Sequence, residues 1–457
     1  MSSLARFFIA QSSPSVRSGR AATRLVSGSD LAKSAITQSL AKDGLDVKIG
    51  HKKGHINSGL GLVIHSLAAK SDNPEIREAK RLGVPILSYP EAVGRITRAY
   101  KTIAVSGAHG KSTTTALASL VLMKAGLDPT VIIGTNLREF PSTSSGRAAT
   151  NFRAGKSNWL VLEADEFGRS FLRHSPTIAV ITNIDLEHLD TYKDLGDIKN
   201  AFLTFLSNTK NGGVFVLNKD NKILSSLSAK INKIAKKNNC RTLWYSIHGN
   251  TAEKIKRVIK IPGSHNISNA VAAYKVGRAL GISHSKILSA IGSYHGSWRR
   301  MEYKGLLKPK TSNLKVLVYD DYAHHPTEIK ATLRAFKEKY PKSPIVCVYQ
   351  PHQGKRLQAL FKDFVSSFSD ADILVLIPMY QVVGRDRVNS HFTSKTLAEA
   401  IREKYPKKEV YYLPNPKNIK RFLSKILHSK FYILNSGVVV MMGAGDIANY
   451  TKFLLKK

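Results

Sequence analysis

Short runs of β-branched and aliphatic residues alternate with longer amphipathic stretches along almost the whole chain. This alternation is typical of layered α/β folds with mainly parallel sheets, because each strand reaches the next parallel strand through a helix. The chain has 457 residues, more than a single hydrophobic core usually supports. The sequence therefore predicts an α/β protein of more than one domain, and we expect three.

The clearest strand patterns form two series, separated by the polar segment 305–314, which is rich in breakers and which we predict to be a linker. The second series indicates a separate C-terminal α/β domain. The predicted strands are Thr102 to Val105, Trp159 to Leu162, Thr177 to Thr182, Gly213 to Leu217 and Thr242 to Tyr245 in the first series, and Val316 to Tyr319, Ile345 to Tyr349, Ile373 to Ile377, Val410 to Leu413 and Val438 to Met441 in the second.

Composition narrows the class of protein. Hydrophobic residues make up 42% of the chain and charged residues 22%, which are ordinary values for a globular protein. No stretch approaches the roughly 18 apolar residues of a membrane helix. Cys240 and Cys347 match no metal-ligand or redox spacing. We therefore expect a cytoplasmic protein with reduced cysteines and no membrane partner.

The formal net charge of +38 is the one unusual global value, and it raises the alternative of a nucleic-acid partner. The lysines, however, are spread over every segment, without the basic stripe and interleaved aromatic residues typical of nucleic-acid sites. A generally lysine-rich composition is the simpler interpretation, and we expect no nucleic acid as a partner.

The strongest local motif is TIAVSGAHGKSTTTALASL, which reads as a strand, a glycine-containing turn and a helix. Such a turn directs backbone N–H groups at phosphate, while Lys111 reaches the terminal phosphates and Ser112 can hold Mg²⁺. The alternative is a chance Gly-Lys-Ser turn, since the first glycine lies only three residues before the second. The predicted nucleotide-binding residues here are Gly107, His109, Gly110, Lys111, Ser112 and Thr113.

Acidic side chains follow two of the predicted strands. Glu163, Asp165 and Glu166 come directly after one strand, and ITNIDLEHLD places His188 after the next. Because the carboxyl ends of parallel strands line the crevice where such folds bind ligands, these groups are candidate Mg²⁺ ligands. The alternative is a solvated acidic loop.

Two further clusters are ambiguous when taken alone. PGSHNISNA carries His265, Asn266 and Asn269 at a helix start, and DDYAHHPTEI carries Asp321 and His324 after a strand. In isolation both read as helix caps.

In order and spacing, the motifs GAHGKSTT, EADEFGRSFL, ITNIDLEHLD, PGSHNISNA, SWRRMEYKG, DDYAHHPTEI, QPHQGKR and GAGDI resemble those of the Mur ligase family. The resemblance covers roughly Val26 to the C-terminus. It implies a Rossmann-like, UDP-sugar-binding domain over 1–98, a central P-loop ATPase domain over 99–304 and a Rossmann-like domain over 305–457 that closes on the amino acid. The strand and glycine-rich turn with which family members begin have no counterpart here. We therefore expect an incomplete UDP-sugar site and a mobile segment from Ser12 to Arg24.

Residue by residue, the resemblance implies roles in binding ATP and Mg²⁺. Lys111 would contact the ATP phosphates and Asp321 the ribose, while His265, Asn266 and Asn269 match the adenine side. The implied Mg²⁺ ligands are Ser112, Glu163 and His188.

Other residues are implied in the transfer itself. Arg300, beside Arg299, matches the arginine that reaches the transferring phosphate, and His324 and Arg356 match positions that receive the amino acid. Gln353 replaces the usual arginine after Pro-His. Recognition of the amino-acid carboxylate is therefore expected to depend more on His324 and Arg356. The residues expected to act in catalysis are Lys111, His188, Arg300, His324 and Arg356.

The motifs look most like those of the family members that use ATP to ligate L-alanine to UDP-N-acetylmuramate, the first peptide step of peptidoglycan precursor synthesis. That reaction passes through an acyl-phosphate. Two alternatives stay open: ligation of a murein tripeptide to the same nucleotide, and an ATP-binding homologue with impaired catalysis. We expect a monomer or a weak homodimer.

Overall fold

The computed structural model describes residues 1–12, 26–141, 149–188, 191–307, 315–381, 391–430 and 436–455. The chain divides into two compact units. Met1–Val258 and Ser268–Tyr294 form the first, and Ile259–Ile267 and His295–Lys457 form the second. From residue 13 onward, the segment expected to be mobile lies outside the described residues. The domain limits at 98/99 and 304/305 stay a prediction.

The first unit begins with short elements that form two separate parallel pairs, β1 with β2 and β3 with β4. The chain begins with a helix of 11 residues. The elements are α1 Ser2–Ser12, β1 Ser27–Asp30, α2 Ala35–Lys42, β2 Asp46–Ile49, β3 Val63–His65, α3 Pro74–Arg81, β4 Ile86–Ser88 and α4 Tyr89–Ala99.

Helix α1 is fixed by both its apolar and its polar side chains. Leu4 and Phe7 are buried in a core shared with Phe152. The Arg6 guanidinium donates to Asp43 Oδ2 at 2.7 Å and to Asn151 Oδ1 at 2.8 Å. Because these contacts join segments far apart in sequence, α1 is an integral part of the first unit.

A seven-stranded sheet is the centre of the first unit, with strand order β11-β10-β9-β5-β8-β6-β7. All described pairings are parallel except that of β6 with β7. All five strands predicted for this region are confirmed, whereas the β6–β7 pair was not predicted. The elements are β5 Lys101–Ser106, α5 Lys111–Lys124, β6 Thr130–Pro141, β7 Ala149–Arg153, β8 Trp159–Glu163, β9 Ile178–Ile181, α6 Leu195–Ser207, β10 Val214–Asn218, α7 Lys222–Ser225, α8 Ser228–Lys237, β11 Arg241–Tyr245, α9 Asn250–Lys256, α10 Ser264–Ala279 and α11 His284–Gly292. The start of α10, up to Ile267, belongs to the second unit.

Strands β5 and β9 are neighbours, and the connections that follow them run in opposite directions along the sheet, from β5 towards β6 and from β9 towards β10. The register pairs Val105 with Glu163 and Ser106 with Ile181, which brings the three carboxyl ends to the same level. Open α/β sheets bind ligands at such a switch point. The loops that follow β5, β8 and β9 therefore start from one edge of the sheet.

The second unit contains a six-stranded sheet with the order β12-β13-β17-β14-β15-β16. Side chains alternate between two cores: Val438 and Val440 of β17 face one, and Val439 and Met441 face the other. The five predicted strands are confirmed. The elements are β12 Glu302–Leu307, β13 Lys315–Asp321, α12 Pro326–Lys339, β14 Ile345–Tyr349, α13 Gly354–Ala359, α14 Phe361–Val365, β15 Ile373–Leu376, α15 Ser394–Lys404, β16 Glu409–Tyr412, α16 Ile419–Lys430, β17 Ser436–Met442 and α17 Ile447–Leu455.

The predicted linker 305–314 is wrong for its first three residues. Gly305–Leu307 continue β12, which pairs antiparallel with β13, and Leu307 is buried. The bulge between Tyr303 and Gly305 accommodates a glycine at φ 147°, so the residue taken for a breaker lies within the strand. Residues 308–314 lie outside the described part.

No helix in the described ranges combines the length and the apolar character needed to cross a bilayer.

Candidate functional site

The turn between β5 and α5 has the backbone conformation of an anion-binding loop. Gly107 and Gly110 have φ of 133° and 82°, in the region that favours glycine. A Cβ at Gly110 would collide with the side-chain oxygen of Asn269, and a Cβ at Gly107 with the hydroxyl of Thr182. Both glycines are therefore required for close approach as well as for backbone geometry. The proximity of Asn269 to the loop brings together two segments predicted to bind the nucleotide.

Thr182 and Asn183, which directly follow β9, hold the loop in place. Thr182 Oγ1 donates to the His109 carbonyl oxygen at 2.6 Å, and Asn183 Nδ2 donates to the same atom at 2.9 Å. The His109 N–H donates in turn to Asn183 Oδ1 at 2.9 Å. These hydrogen bonds were not predicted from the sequence, although Thr182 and Asn183 belong to ITNIDLEHLD, the motif selected for its acidic residues.

Lys111 is aimed across the loop by a buried carboxylate. Its Nζ donates to Glu166 Oε1 at 2.9 Å and to the Gly107 carbonyl oxygen at 2.8 Å. Burial by itself lowers the pKa of Lys111, but the carboxylates of Glu166, Asp165 and Glu163 together outweigh burial, so the pKa is raised above its ordinary value. The ammonium group therefore keeps its charge at the phosphate-binding turn.

Glu166 is the central acidic group of the site; the sequence predicted it as a candidate Mg²⁺ ligand, but not its contact with Lys111. It is only 2% exposed. Burial opposes its ionisation, but Lys111 and His188 more than compensate, so the pKa of Glu166 lies below its usual range. His188 Nε2 lies 3.1 Å from Glu166 Oε1. One carboxylate thus orients both a predicted phosphate-binding group and a predicted metal ligand.

Two of the three predicted metal ligands are in direct contact. Ser112 Oγ donates to Glu163 Oε1 at 2.8 Å, and the Gly134 N–H donates to Glu163 Oε2 at 2.7 Å. Burial raises the pKa of Glu163. The hydroxyl and the carboxylate supply the hard oxygen donors that Mg²⁺ prefers.

The third predicted metal ligand, His188, contacts Glu166 rather than Glu163. Ligand atoms of Asp165, Glu166 and His188 lie within 4.8 Å of one another, close enough to hold a metal ion. His188 has a positive φ of 55°, in the sparsely populated left-handed region. The structure therefore provides two adjacent groups of potential ligands.

The remaining nucleotide-loop predictions fall at the same sheet edge. His109 Nε2 lies 3.1 Å from Asp185 Oδ2, which orients the ring. Thr113 is buried in the first turn of α5. The strand ends thus bring together the predicted loop residues and the predicted acidic residues of the first unit.

In the second unit, Asp321 holds the end of β13. Its Oδ2 accepts from the Met301 N–H at 2.8 Å, and its Oδ1 accepts from the Ala323 N–H at 2.9 Å. Asp321 is 3% exposed, and burial raises its pKa. These contacts give Asp321 a structural role, while its predicted ribose contact stays a prediction.

Arg300 and His324 share one carboxylate. Arg300 Nη1 lies 3.5 Å from Glu328 Oε1, and His324 Nδ1 lies 3.2 Å from Glu328 Oε2. The Arg300 guanidinium also lies over the Tyr322 ring, 5.1 Å from its centroid. Glu328 in the first turn of α12 therefore positions two residues predicted to act in transfer. From the sequence alone, Glu328 in DDYAHHPTEI was interpreted only as an acidic residue at the start of a helix.

The other predicted residues of the second unit occupy separate local settings. Burial lowers the pKa of His265 to about 4, so its ring is neutral near pH 7. Asn266 Nδ2 donates to the Pro262 carbonyl oxygen at 2.7 Å and so closes its own turn. Arg356 is 7% exposed on α13, which follows Gln353 at a positive φ of 64°.

Three domain families match the chain: "Mur ligase family, catalytic domain" over residues 22–101, "Mur ligase middle domain" over 105–277, and "Mur ligase, glutamate ligase domain" over 299–445. A UDP-N-acetylmuramate–L-alanine ligase of Acetivibrio thermocellus is 38% identical over 94% of this chain and 90% of that protein. The chain therefore belongs to the Mur ligase family. This membership confirms an ATP-dependent, ADP-forming ligase.

Two solved structures share the fold. A UDP-N-acetylmuramate-alanine ligase from Thermotoga maritima has a TM-score of 0.70 and 24% identity, covering 94% of this chain and 92% of that one. A murein peptide ligase from Psychrobacter arcticus has a TM-score of 0.65 and 20% identity, covering 100% and 95%. The predicted three-domain Mur ligase architecture is confirmed.

Arg299 differs from Arg300 in what it contacts, and we expect its loss to destabilise the second unit. Its guanidinium donates to the carbonyl oxygens of Gly443 and Gly445, the latter at 2.9 Å, and the residue is 4% exposed. Arg299→Met leaves these acceptors unsatisfied, which costs about 1–3 kcal/mol. The measurement is calorimetric unfolding. Arg334→Met removes an arginine that is 66% exposed and should cost less than about 0.5 kcal/mol. Equal unfolding temperatures for the two variants would contradict this role of Arg299.

Proposed function

We propose that the chain ligates L-alanine to the lactyl carboxylate of UDP-N-acetylmuramate, with conversion of ATP to ADP and phosphate. The observation that carries this proposal is 38% identity to an alanine ligase over 94% of the chain. The phosphate-binding turn, with Lys111 held in a charged state, supports it independently. The reaction would be the first peptide step of peptidoglycan precursor synthesis, in the cytoplasm, carried out by a monomer or weak homodimer.

The first chemical step requires stabilisation of charge on the transferring phosphoryl group. An oxygen of the lactyl carboxylate attacks the γ-phosphorus, the bond from that phosphorus to the β–γ bridging oxygen breaks, and ADP leaves with the electron pair. Lys111 lies at the turn where the phosphates bind, and its positive charge offsets the charge that develops there. Glu166 maintains that charge and its direction, so it is a positioning residue.

The second step forms the amide. The alanine amine attacks the acyl carbon, the bond from that carbon to the phosphate oxygen breaks, and inorganic phosphate leaves while the amine loses its proton. We propose that Arg300 contacts the transferring phosphoryl group, and that His324 and Arg356 bind the amino acid. The shared contact with Glu328 supports a fixed arrangement of Arg300 and His324.

We propose Mg²⁺ as the cation of the site. The hydrogen-bonded pair of Ser112 and Glu163 offers hydroxyl and carboxylate oxygens, and His188 lies beside the acidic group Glu166. A bound Mg²⁺ would neutralise phosphate charge. His265, Asn266, Asn269 and Asp321 are proposed to bind the nucleoside of ATP.

The substrate assignment is tested by measuring phosphate release with ATP and UDP-N-acetylmuramate against L-alanine, glycine, L-serine and murein tripeptide. We expect the highest kcat/KM with L-alanine. A preference for the tripeptide would replace the proposal by the recycling ligation. ATP binding without phosphate release for any acceptor would identify an impaired homologue.

Lys111→Ala should lower turnover by about a hundredfold or more, the usual effect of losing an electrostatic contact to a transition state. The measurement is steady-state phosphate release at saturating substrates. Lys124→Ala is the matched control, because Lys124 lies exposed in the last turn of the same helix. Turnover above about a tenth of the unmodified value would remove Lys111 from the phosphate site.

Loss of turnover must be separated from unfolding, because Lys111 neutralises a buried carboxylate. Lys111→Ala leaves the Glu166 carboxylate buried without its lysine partner, and the double variant Lys111→Ala/Glu166→Gln removes that negative charge as well. It should unfold at the temperature of the unmodified protein and remain inactive.

His188→Ala should raise the Mg²⁺ concentration needed for the half-maximal rate by more than it changes the KM for alanine. The reason is the position of the ring beside Glu166. His248→Ala is the control, because that side chain is exposed elsewhere in the first unit. Superimposable Mg²⁺ titrations for His188→Ala and the unmodified protein would exclude His188 from the metal site.

A further inference from the structure

An arginine-lined concavity lies beside helix α4 in the first unit. It measures 210 Å³ and is lined by Leu87, Glu91, Arg95, Arg98 and Arg173. Helix α4 ends at Ala99, just before β5 begins at Lys101, whereas the nucleotide turn follows Ser106. None of the lining residues is among those predicted to bind ATP or Mg²⁺. The concavity is therefore distinct from the candidate ATP site.

The lining of the concavity carries more positive than negative charge. Three guanidinium groups face one carboxylate, which leaves a net charge of +2 among the lining side chains. Glu91 is engaged by the helix start, because its Oε2 accepts from the Ser88 N–H at 2.9 Å and from the Ser88 hydroxyl at 2.7 Å. Among the described residues, no ion pair or side-chain hydrogen bond involves the three arginines.

The wall that carries the arginines is rigid. A Cβ at Gly94 would come within 2.5 Å of the Arg173 carbonyl oxygen, so the backbones of α4 and the Arg173 segment are in direct contact. Thr97 is fully buried, and its hydroxyl accepts from the Ser175 N–H at 3.1 Å. The backbone positions of Arg95, Arg98 and Arg173 are thus fixed relative to one another.

Exposed side chains of the same charge lie close together beside the concavity. Arg95 and Arg98 lie three residues apart on one face of α4, a spacing at which like charges repel. Arg173 adds a third cation from a different element. Guanidinium groups bind phosphate oxygens through paired N–H donors, and several of them around a concavity suit a doubly charged, tetrahedral group better than a single planar carboxylate.

We propose that Arg95, Arg98 and Arg173 form a binding site for an anion that carries a phosphate group. The site is separate from the proposed ligation, and it requires neither ATP nor the sugar nucleotide.

The test is calorimetric titration of inorganic phosphate into the full chain at constant ionic strength. Saturation with Mg²⁺ and a non-hydrolysable ATP analogue first fills the nucleotide turn. We expect one saturable phosphate site in the unmodified protein. Arg95→Gln/Arg98→Gln should weaken it by about tenfold or more, since charge-assisted hydrogen bonds to phosphate are lost.

The matched control is Arg77→Gln/Lys80→Gln, which removes the same charge from exposed positions on the neighbouring helix α3. This variant should bind phosphate as the unmodified protein does. Arg173→Gln provides an independent variant from the other side of the concavity, and it should also weaken binding. Acetate at the same ionic strength should not compete.

Absence of a saturable site in the analogue-loaded protein would overturn the proposal. Equal binding by Arg95→Gln/Arg98→Gln and by its control would do the same. The titration depends only on folded protein, so failure of the ligation assay would leave its result unaffected.

Discussion

The parallel alignment of β5 with β8 and β9 is the constraint on which the candidate ATP site depends. The register brings the three carboxyl ends to one level, because Val105 pairs with Glu163 and Ser106 with Ile181. Three loops therefore leave the sheet side by side. A glycine turn, an acidic loop and the Thr-Asn pair after β9 come within hydrogen-bonding distance only because the strands end together. A shift of one residue in either pairing would turn the side chains to the opposite face of the sheet.

At this edge of the sheet, charged side chains form pairs between residues that are far apart in the sequence. A buried ammonium or carboxylate without a partner is strongly unfavourable. Glu166 offsets that cost for Lys111 and also contacts His188. The same principle operates in the second unit, where Glu328 contacts both Arg300 and His324. In each unit, one carboxylate of low exposure orients two cationic or titratable groups.

Much of the fold follows from local sequence patterns. The motif around Lys111 contains the strand, the turn and the helix start, because each depends on neighbouring residues: β-branched runs, glycines with positive φ and an open helix N-terminus. The ten predicted strands were recovered for the same reason. Gly305 shows the limit of such reasoning, because its local character indicates a break, while pairing with β13 keeps it within a strand.

The sequence by itself determined the α/β class, the position of the phosphate-binding turn and the residue types available for charge stabilisation. Only the tertiary structure decided which of them meet. Thr182 and Asn183 brace the turn, Gly134 caps Glu163, and Glu166 pairs with Lys111. These contacts depend on strand order and register, which arise from the burial of whole sheet faces and leave no signal in the spacing of the residues concerned.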